Sequence, residues 1–359
     1  MAERHETPIR LVIVGCGSAA RTIHVPRLLG LGDQFRVAGI CDIDPEAAKV
    51  ISEALAGVPW FKDTQTMLVQ VAADAMLVLT PLHYEPAVLG LAQGLDLFVE
   101  KPFCETPNQA LRLASMVAES GRIAMVGAMR LFEPGVAYVR ERLASLAPLR
   151  WVEIHDYCSR GAKEETPKRA ADDPHLVDRA LQAGLQMALP HADPRLRNAL
   201  QTVLLEFIHD LSILRAVFGG PLECADAHIS EDGWSIAGRL RLPGGVPCNF
   251  EVAEFGVAHV PVEEVSLTIA GEGGLLRIRF GDPNTPGGGE SEIQQSGAPP
   301  MRLRGDPYLE ELKAFQRAIE TRLVEANDAQ AGAADVVTAW NIIEKGIDNG
   351  KIEANLTRS

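Results

Sequence analysis

Three clusters in the chain carry residue types that can do chemistry. The first is Gly15-Cys16-Gly17-Ser18-Ala19-Ala20, placed directly after an apolar run and before a helical one. A first glycine there permits a tight turn, and a second lets the backbone approach a pyrophosphate. A small third residue lets the helix pack on the strand, and the helix start holds the phosphate charge. Asp42 ends the second apolar run, at the position where a carboxylate accepts hydrogen bonds from adenosine ribose hydroxyls and repels a 2′-phosphate. No Arg or Lys directly follows Asp42 to receive such a phosphate. The reading is a dinucleotide-binding turn preferring NAD to NADP; the alternative is a structural turn followed by a surface aspartate.

The second cluster is Glu100-Lys101-Pro102, immediately after the apolar run Leu97–Val99. A charged pair at the carboxyl end of a parallel strand points into the crevice where α/β sheets bind ligands. An ammonium near a developing alkoxide stabilises it. A surface salt bridge is the plainer alternative. The third cluster lies in Val203–Arg215, an apolar stretch of helical period in which Glu206, His209 and Ser212 recur every three residues. Buried polar groups need partners, so the stripe reads either as a cleft wall or as a satisfied structural histidine.

The elements that must position these residues are legible as a period. Ile9–Val14, Phe35–Cys41, Ala75–Leu79, Leu97–Val99 and Ile123–Val126 read as buried strands alternating with helices, one of them Pro45–Leu55 with Asp44 as N-cap. That order implies a parallel sheet covered on both faces. After Gly127 the pattern changes. A helix over Gly135–Leu146 and a strand over Trp151–Tyr157 lead into a largely helical stretch, Asp173–Phe218, broken near Pro190 and Pro194. Strands at Leu222–Ile229, Trp234–Leu242, Cys248–Phe255, Val265–Ala270 and Leu275–Phe280 resemble an antiparallel meander. Asp282–Ser296 reads as a mobile loop, and helices at Pro307–Arg322 and Ala333–Lys345 close the chain. An open sheet of this size has two faces, and the helices cover one. The other is expected to pair copies into a homodimer or homotetramer.

Composition bounds the function. The chain has 359 residues, 47% hydrophobic and 23% charged, which fits a globular protein of two domains. A net charge of -14 argues against nucleic acid as a partner. Six scattered cysteines without a C-x-x-C pair fit buried thiols of a reducing compartment. Met1–Glu6 lacks the apolar core of a signal peptide, and no apolar run is long enough to span a membrane, so the expected location is the cytoplasm. His175 and His191 have no ligand-like spacing, so no metal is expected, and the charges of Lys163–Arg169 read as a solvated loop.

The chain resembles the Gfo/Idh/MocA family, that of glucose–fructose oxidoreductase and inositol dehydrogenase. The matching pieces are Val14-Gly-Cys-Gly-Ser18 with His24 and Pro26, Leu79-Thr-Pro81 with His83, and Val99-Glu-Lys-Pro102. Val126-Gly-Ala-Met-Arg130, Ile208-His-Asp210 with Leu214-Arg215, and Tyr308, Glu311, Leu312, Phe315 and Ile319 complete them. The resemblance implies a Rossmann domain over residues 1–127 and an α+β domain over 128–305 with a large, mostly antiparallel open sheet. C-terminal helices over 306–359 would pack back toward the Rossmann domain. Gly15, Gly17, Ser18, Ala19, Asp42, Thr80, Pro81, His83, Glu100 and Lys101 would bind the nucleotide. Lys101 would hold the reacting substrate oxygen and His209 would act as general acid/base. The family's helper aspartate, four residues before that histidine, is Leu205 here, and the aspartate three residues after it is Ser212. Glu206 also faces His209 on a helix and is the candidate to replace the helper. Arg130, Tyr157 and Asp210 are candidate substrate contacts.

The sequence thus points to an NAD-dependent oxidoreductase moving a hydride between nicotinamide and a secondary alcohol or ketone of a sugar, sugar nucleotide or cyclitol. Two alternatives share the same fold. One is a nucleotide-binding sensor without turnover. The other is an enzyme that retains NAD and uses transient oxidation for elimination, hydrolysis or epimerisation.

Overall fold

A computed structural model describes residues 7–159, 176–188, 192–256, 263–285 and 288–348. The cluster Lys163–Arg169 and both His175 and His191 lie outside these residues. The chain forms two compact units, one built mainly from residues 7–127 with Tyr308–Ala333, the other mainly from the sheet and helices between them with the chain after Ala333.

The first unit is a parallel sheet of six strands: β1 (Ile9–Val14), β2 (Phe35–Cys41), β3 (Trp60–Phe61), β4 (Ala75–Val78), β5 (Asp96–Glu100) and β6 (Ala124–Gly127). Their order is β3-β2-β1-β4-β5-β6, with every pair parallel. This is the doubly wound order whose reversal between β1 and β4 opens a ligand crevice beyond the strand ends. Leu11–Ile13, Met76–Val78 and Leu97–Val99 are fully buried, as a sheet covered on both faces requires. Short α1 (Val25–Leu29), then α2 (Pro45–Ala54), α3 (Thr64–Gln70), α4 (Tyr84–Ala92) and α5 (Pro107–Ser120) connect the strands. Asp44 and Asp63 cap α2 and α3 with side-chain oxygens, and Thr106 forms a capping box with Gln109 at α5. The sequence reading lacked β3, which is only two residues long and has Trp60 half-exposed.

The late segment Tyr308–Ala333 is an integral part of this unit. Asn327 exchanges two hydrogen bonds with Val126 of β6, donating its Nδ2 to the Val126 carbonyl (2.6 Å) and accepting the Val126 N–H on its own carbonyl (2.8 Å). Arg322 holds both oxygens of buried Asp96 at 2.6 and 3.0 Å. Phe315 stacks on Phe35 and meets Phe98 edge-on.

The second unit is an eight-stranded sheet: β7 (Leu149–Ser159), β8 (Glu223–Ile229), β9 (Ser235–Arg241), β10 (Pro247–Phe255), β11 (Glu263–Gly271), β12 (Gly274–Phe280), β13 (Gly289–Gln295) and β14 (Met301–Gly305). The order β14-β13-β12-β11-β7-β10-β9-β8 corrects the expected meander. β7 is inserted between β10 and β11, pairing parallel with the first and antiparallel with the second. A hairpin therefore cannot join β10 to β11. The expected loop Asp282–Ser296 is a second correction. Gly289–Gln295 is a strand with Ser291 and Ile293 buried between half-exposed Glu290 and Glu292. Its glycines and polar outer residues hide the alternation.

Helices α6 (Pro134–Leu146), α8 (Pro194–Thr202) and α9 (Ile208–Phe218) belong to the second unit, whereas α7 (Leu176–Ala188) is divided between the units after Leu181. Asp193 caps α8, and a π-wound turn over Val203–Phe207 joins α8 to α9. The chain closes with α10 (Pro307–Thr321) and α11 (Ala329–Asp348). In the second unit Arg215 of α9 grips Asp335 of α11 at 2.7 and 2.9 Å.

Candidate functional site

In the first unit, Gly15 has φ +101°, and a Cβ on it would lie 2.6 Å from the Leu79 carbonyl carbon and oxygen. Only glycine fits there, so the end of β1 can lie directly against the end of β4. A Cβ on Gly17 would meet nothing within 4 Å, Ser18 is exposed, and Ala20 is fully buried. Those are the three environments that the glycine turn assigns: a tight corner, open space for a phosphate, and a small contact under the helix. The helix that follows is π-wound over Ala19–His24, with the Val25 N–H reaching back to the Ala20 carbonyl, and it passes into α1 with Pro26 in its first turn.

Asp42 does a second job that the sequence did not announce. One carboxylate oxygen accepts the Cys16 N–H at 2.6 Å, and the other accepts the Asp44 N–H at 2.8 Å. It therefore ties the glycine turn to the end of β2, and its remaining lone pairs can still accept ribose hydroxyls. Cys16 and Cys41 flank this point as free buried thiols, pushed up mainly by burial.

Lys101 sits half-buried at the end of β5, and the peptide linking it to Pro102 is cis. Its N–H donates to Glu100 Oε2 at 3.0 Å, while Glu100 Oε1 meets Nε2 of fully buried His24 at 2.7 Å. Burial would raise the Glu100 carboxyl, but His24's hydrogen bond and charge, joined by Lys101, outweigh it and hold the group below its ordinary range. Thr80 turns its hydroxyl onto the Leu82 carbonyl at 2.7 Å, with Pro81 half-buried beside it. His83 is buried; its N–H donates to Glu105 at 2.7 Å and its Nδ1 lies 2.6 Å from the Pro102 carbonyl. A carbonyl only accepts, so Nδ1 carries the proton, and burial lowers the imidazole's pKa and keeps it neutral. His83 thus braces the Glu-Lys-Pro turn from behind.

In the second unit, His209 and Asp210 lie in the first turn of α9, directly after the π-wound turn. His209 is 9% exposed and Asp210 is fully buried. Glu206 falls within the π turn, is half-exposed, and does not hydrogen-bond Nδ1 of His209. The wider winding adds residues per turn, so an i−3 neighbour no longer sits squarely over position i. Ser212 folds its hydroxyl back onto the His209 carbonyl at 2.6 Å. Among the described residues, neither oxygen of Asp210 meets a hydrogen-bond donor. Burial first, then the neighbouring Asp156 of β7, raises its carboxyl well above the ordinary range against the pull of Arg130. Arg130 is itself buried and donates to Glu133 at 2.8 Å. Close by on the helix-facing side of the sheet, Thr202 donates to Glu254 at 2.7 Å. Spacing could not reveal this polar seam, since its members come from separate elements.

Tyr157 lies on the opposite face of β7 from Asp156. It stacks on His155 at 4.8 Å, donates to Glu251 at 2.9 Å, and is pushed up to about 12, first by burial and then by that carboxylate. Of the three candidate substrate contacts, Arg130 and Asp210 share the helix side and Tyr157 does not. Among the described residues no group of three or more His, Cys, Asp or Glu could hold a metal ion. Nor is any helix among them long and apolar enough to cross a membrane.

Residues 9–128 match the Gfo/Idh/MocA family model, described as an oxidoreductase family with an NAD-binding Rossmann fold. D-glucoside 3-dehydrogenase of Escherichia coli is 27% identical over 141 residues, 39% of this chain and 40% of that protein. The chain therefore spans about two fifths of the length of such relatives. Inositol 2-dehydrogenase of Paracoccus denitrificans is 27% identical over 259 residues, 66% of this chain and 75% of that protein. Among solved structures, the WlbA dehydrogenase of Bordetella pertussis, in complex with NADH and UDP-GlcNAcA, superposes with TM-score 0.73 at 20% identity. It covers 95% of this chain and 97% of that one. Scyllo-inositol dehydrogenase of Lactobacillus casei gives 0.70 at 17% identity, over 96% and 98%. At these identities the structures establish the shared two-part fold.

Proposed function

We propose that the chain is an NAD-dependent dehydrogenase or reductase acting on a secondary alcohol or ketone of a sugar, sugar nucleotide or cyclitol. The observation that carries this reading is Lys101, fixed by Glu100 at the carboxyl end of β5 in a sheet whose glycine turn leaves open space at Gly17. Gly15, Gly17, Ser18, Ala19 and Asp42 would hold the nucleotide's pyrophosphate and adenosine ribose, with Thr80, Pro81, His83 and Glu100 shaping its nicotinamide end. When bound, the nicotinamide supplies the carbon that exchanges hydride with the substrate.

Lys101 stabilises charge on the substrate oxygen, and His209 moves the hydroxyl proton. Arg130 and Asp210 shape the wall beside His209. Glu206, whose charge reaches Asp210, is the carboxylate nearest the family's helper position. Relatives named as glucoside, inositol and UDP-N-acetylglucosamine dehydrogenases support the substrate class. Cysteines held as thiols, such as buried Cys16, Cys41 and Cys104, fit a reducing compartment such as the cytoplasm.

A nucleotide-reduction screen over sugars, sugar nucleotides and cyclitols tests the reading. Turnover with a polyol that disappears in Lys101→Ala supports it. Tight NAD binding with no turnover on any of them favours the sensor reading, for which Leu205 at the helper position speaks.

A further inference from the structure

Glu311 lies on α10 one turn before Phe315 and is completely buried. Neither of its oxygens meets a hydrogen-bond donor among the described residues. One turn further on, Phe315 meets Phe35 at 6.3 Å and Phe98 at 5.7 Å, and Phe98 in turn meets His24 at 5.4 Å. A carboxylate placed there would lose its hydration with nothing in return, so the group takes a proton instead. Burial first, then the like charge of Glu100, pushes Glu311 well above the ordinary carboxylate range. Glu100 is held below that range by His24 and Lys101. Two neighbouring carboxyls driven apart in this way divide the roles of acid and base between them.

We propose that Glu311 is a positioning residue for Lys101, acting as a neutral carboxylic acid behind the Glu100–His24 pair. The inference rests on the role given to Lys101 above. A neutral Glu311 leaves Glu100 as the one negative charge at this point, free to hold His24 Nε2 and the Lys101 N–H together. Its hydroxyl needs an acceptor. An internal water is the usual acceptor for a buried hydroxyl of this kind.

The charged group that acts on Glu311 is Glu100 of β5, which is itself held by His24 from the first helix. A carboxyl whose folded pKa is raised contributes stability at low pH and loses it as pH rises through the folded value. Alkaline pH therefore places a second negative charge behind Lys101 and slackens the pair.

The test uses the full chain with NAD. The infrared spectrum near neutral pH should contain a protonated-carboxyl band that E311Q removes. Between about pH 6 and about pH 9, wild type should lose more thermal stability than E311Q. E311A should lower kcat roughly 10-fold or more, with E311Q restoring most of it and the alkaline limb of its rate profile moved upward. An E311Q variant as impaired as E311A would show that an ionised carboxylate is required and overturn the proposal. So would a spectrum with no band sensitive to E311Q. Should no polyol turn over, the function reading fails, while the band and the pH-dependent stability still decide whether Glu311 holds its proton.

Discussion

His24 and Glu100, 76 residues apart in the chain, meet at 2.7 Å in the interior of the first unit, and the same carboxylate holds the backbone of Lys101. Breaking this pair should cost both stability and turnover. Glu100→Gln removes the charge that His24 and Lys101 share and is expected to destabilise by about 1–3 kcal/mol. The folded Glu100 titrates below its ordinary range, so its contribution is present above the unfolded pKa and vanishes as pH falls through the folded one. Chemical denaturation of both proteins across the acid range measures this; parallel curves would contradict it.

NAD should bind more tightly than NADP, because Asp42 repels a 2′-phosphate and no cation follows it. Asp42→Ala should narrow the gap by weakening NAD more. Because Asp42 also accepts the Cys16 N–H, some loss with both nucleotides is expected. Calorimetric titration decides, and tighter NADP binding by wild type would reverse the assignment.

His209→Asn should lower kcat about 10²–10⁴-fold, the usual worth of positioned proton transfer. Nucleotide affinity should hold, since His209 belongs to the second unit. Glu206→Gln should leave the pH optimum in place, because Glu206 does not bond Nδ1 of His209. A shifted optimum would reinstate Glu206 as the carboxylate that orients the imidazole.

Copies should pair through the sheet face that carries Trp151, Glu153, His155 and Tyr157. There the stacked His155–Tyr157 rings and the 43% exposed Phe255 lie among Glu251, Glu264 and Arg279. Tyr157→Asp adds charge to that aromatic patch and should lower the mass found by light scattering. A monomeric wild type at micromolar concentration would contradict the assembly.

Residues constrained by local sterics or by burial on both faces were readable from sequence. Gly15 is one, because no other side chain fits against Leu79; β4, buried throughout, and β1, buried at all but Arg10, are others. What stayed hidden depends on who meets whom in space. The insertion of β7 between β10 and β11 is a matter of strand order, which no local period reports. β13 presents Glu290, Glu292 and Gln294 outward and so reads as polar chain. Glu311 was visible as part of a helical pattern, but its burial follows only from what α10 packs against.

The return of Tyr308–Ala333 to the first unit also has a consequence for synthesis. The emerging N-terminal sheet waits for Asn327 along β6, Arg322 for Asp96 and Phe315 against Phe35 and Phe98 until most of the remaining chain has been made. At about 5–20 residues per second that is a delay on the order of 10–40 seconds. Through that interval the nascent chain offers an uncovered strand edge and aromatic surface to whatever holds it at the ribosome, and a fragment ending at Gly127 would keep them uncovered for good.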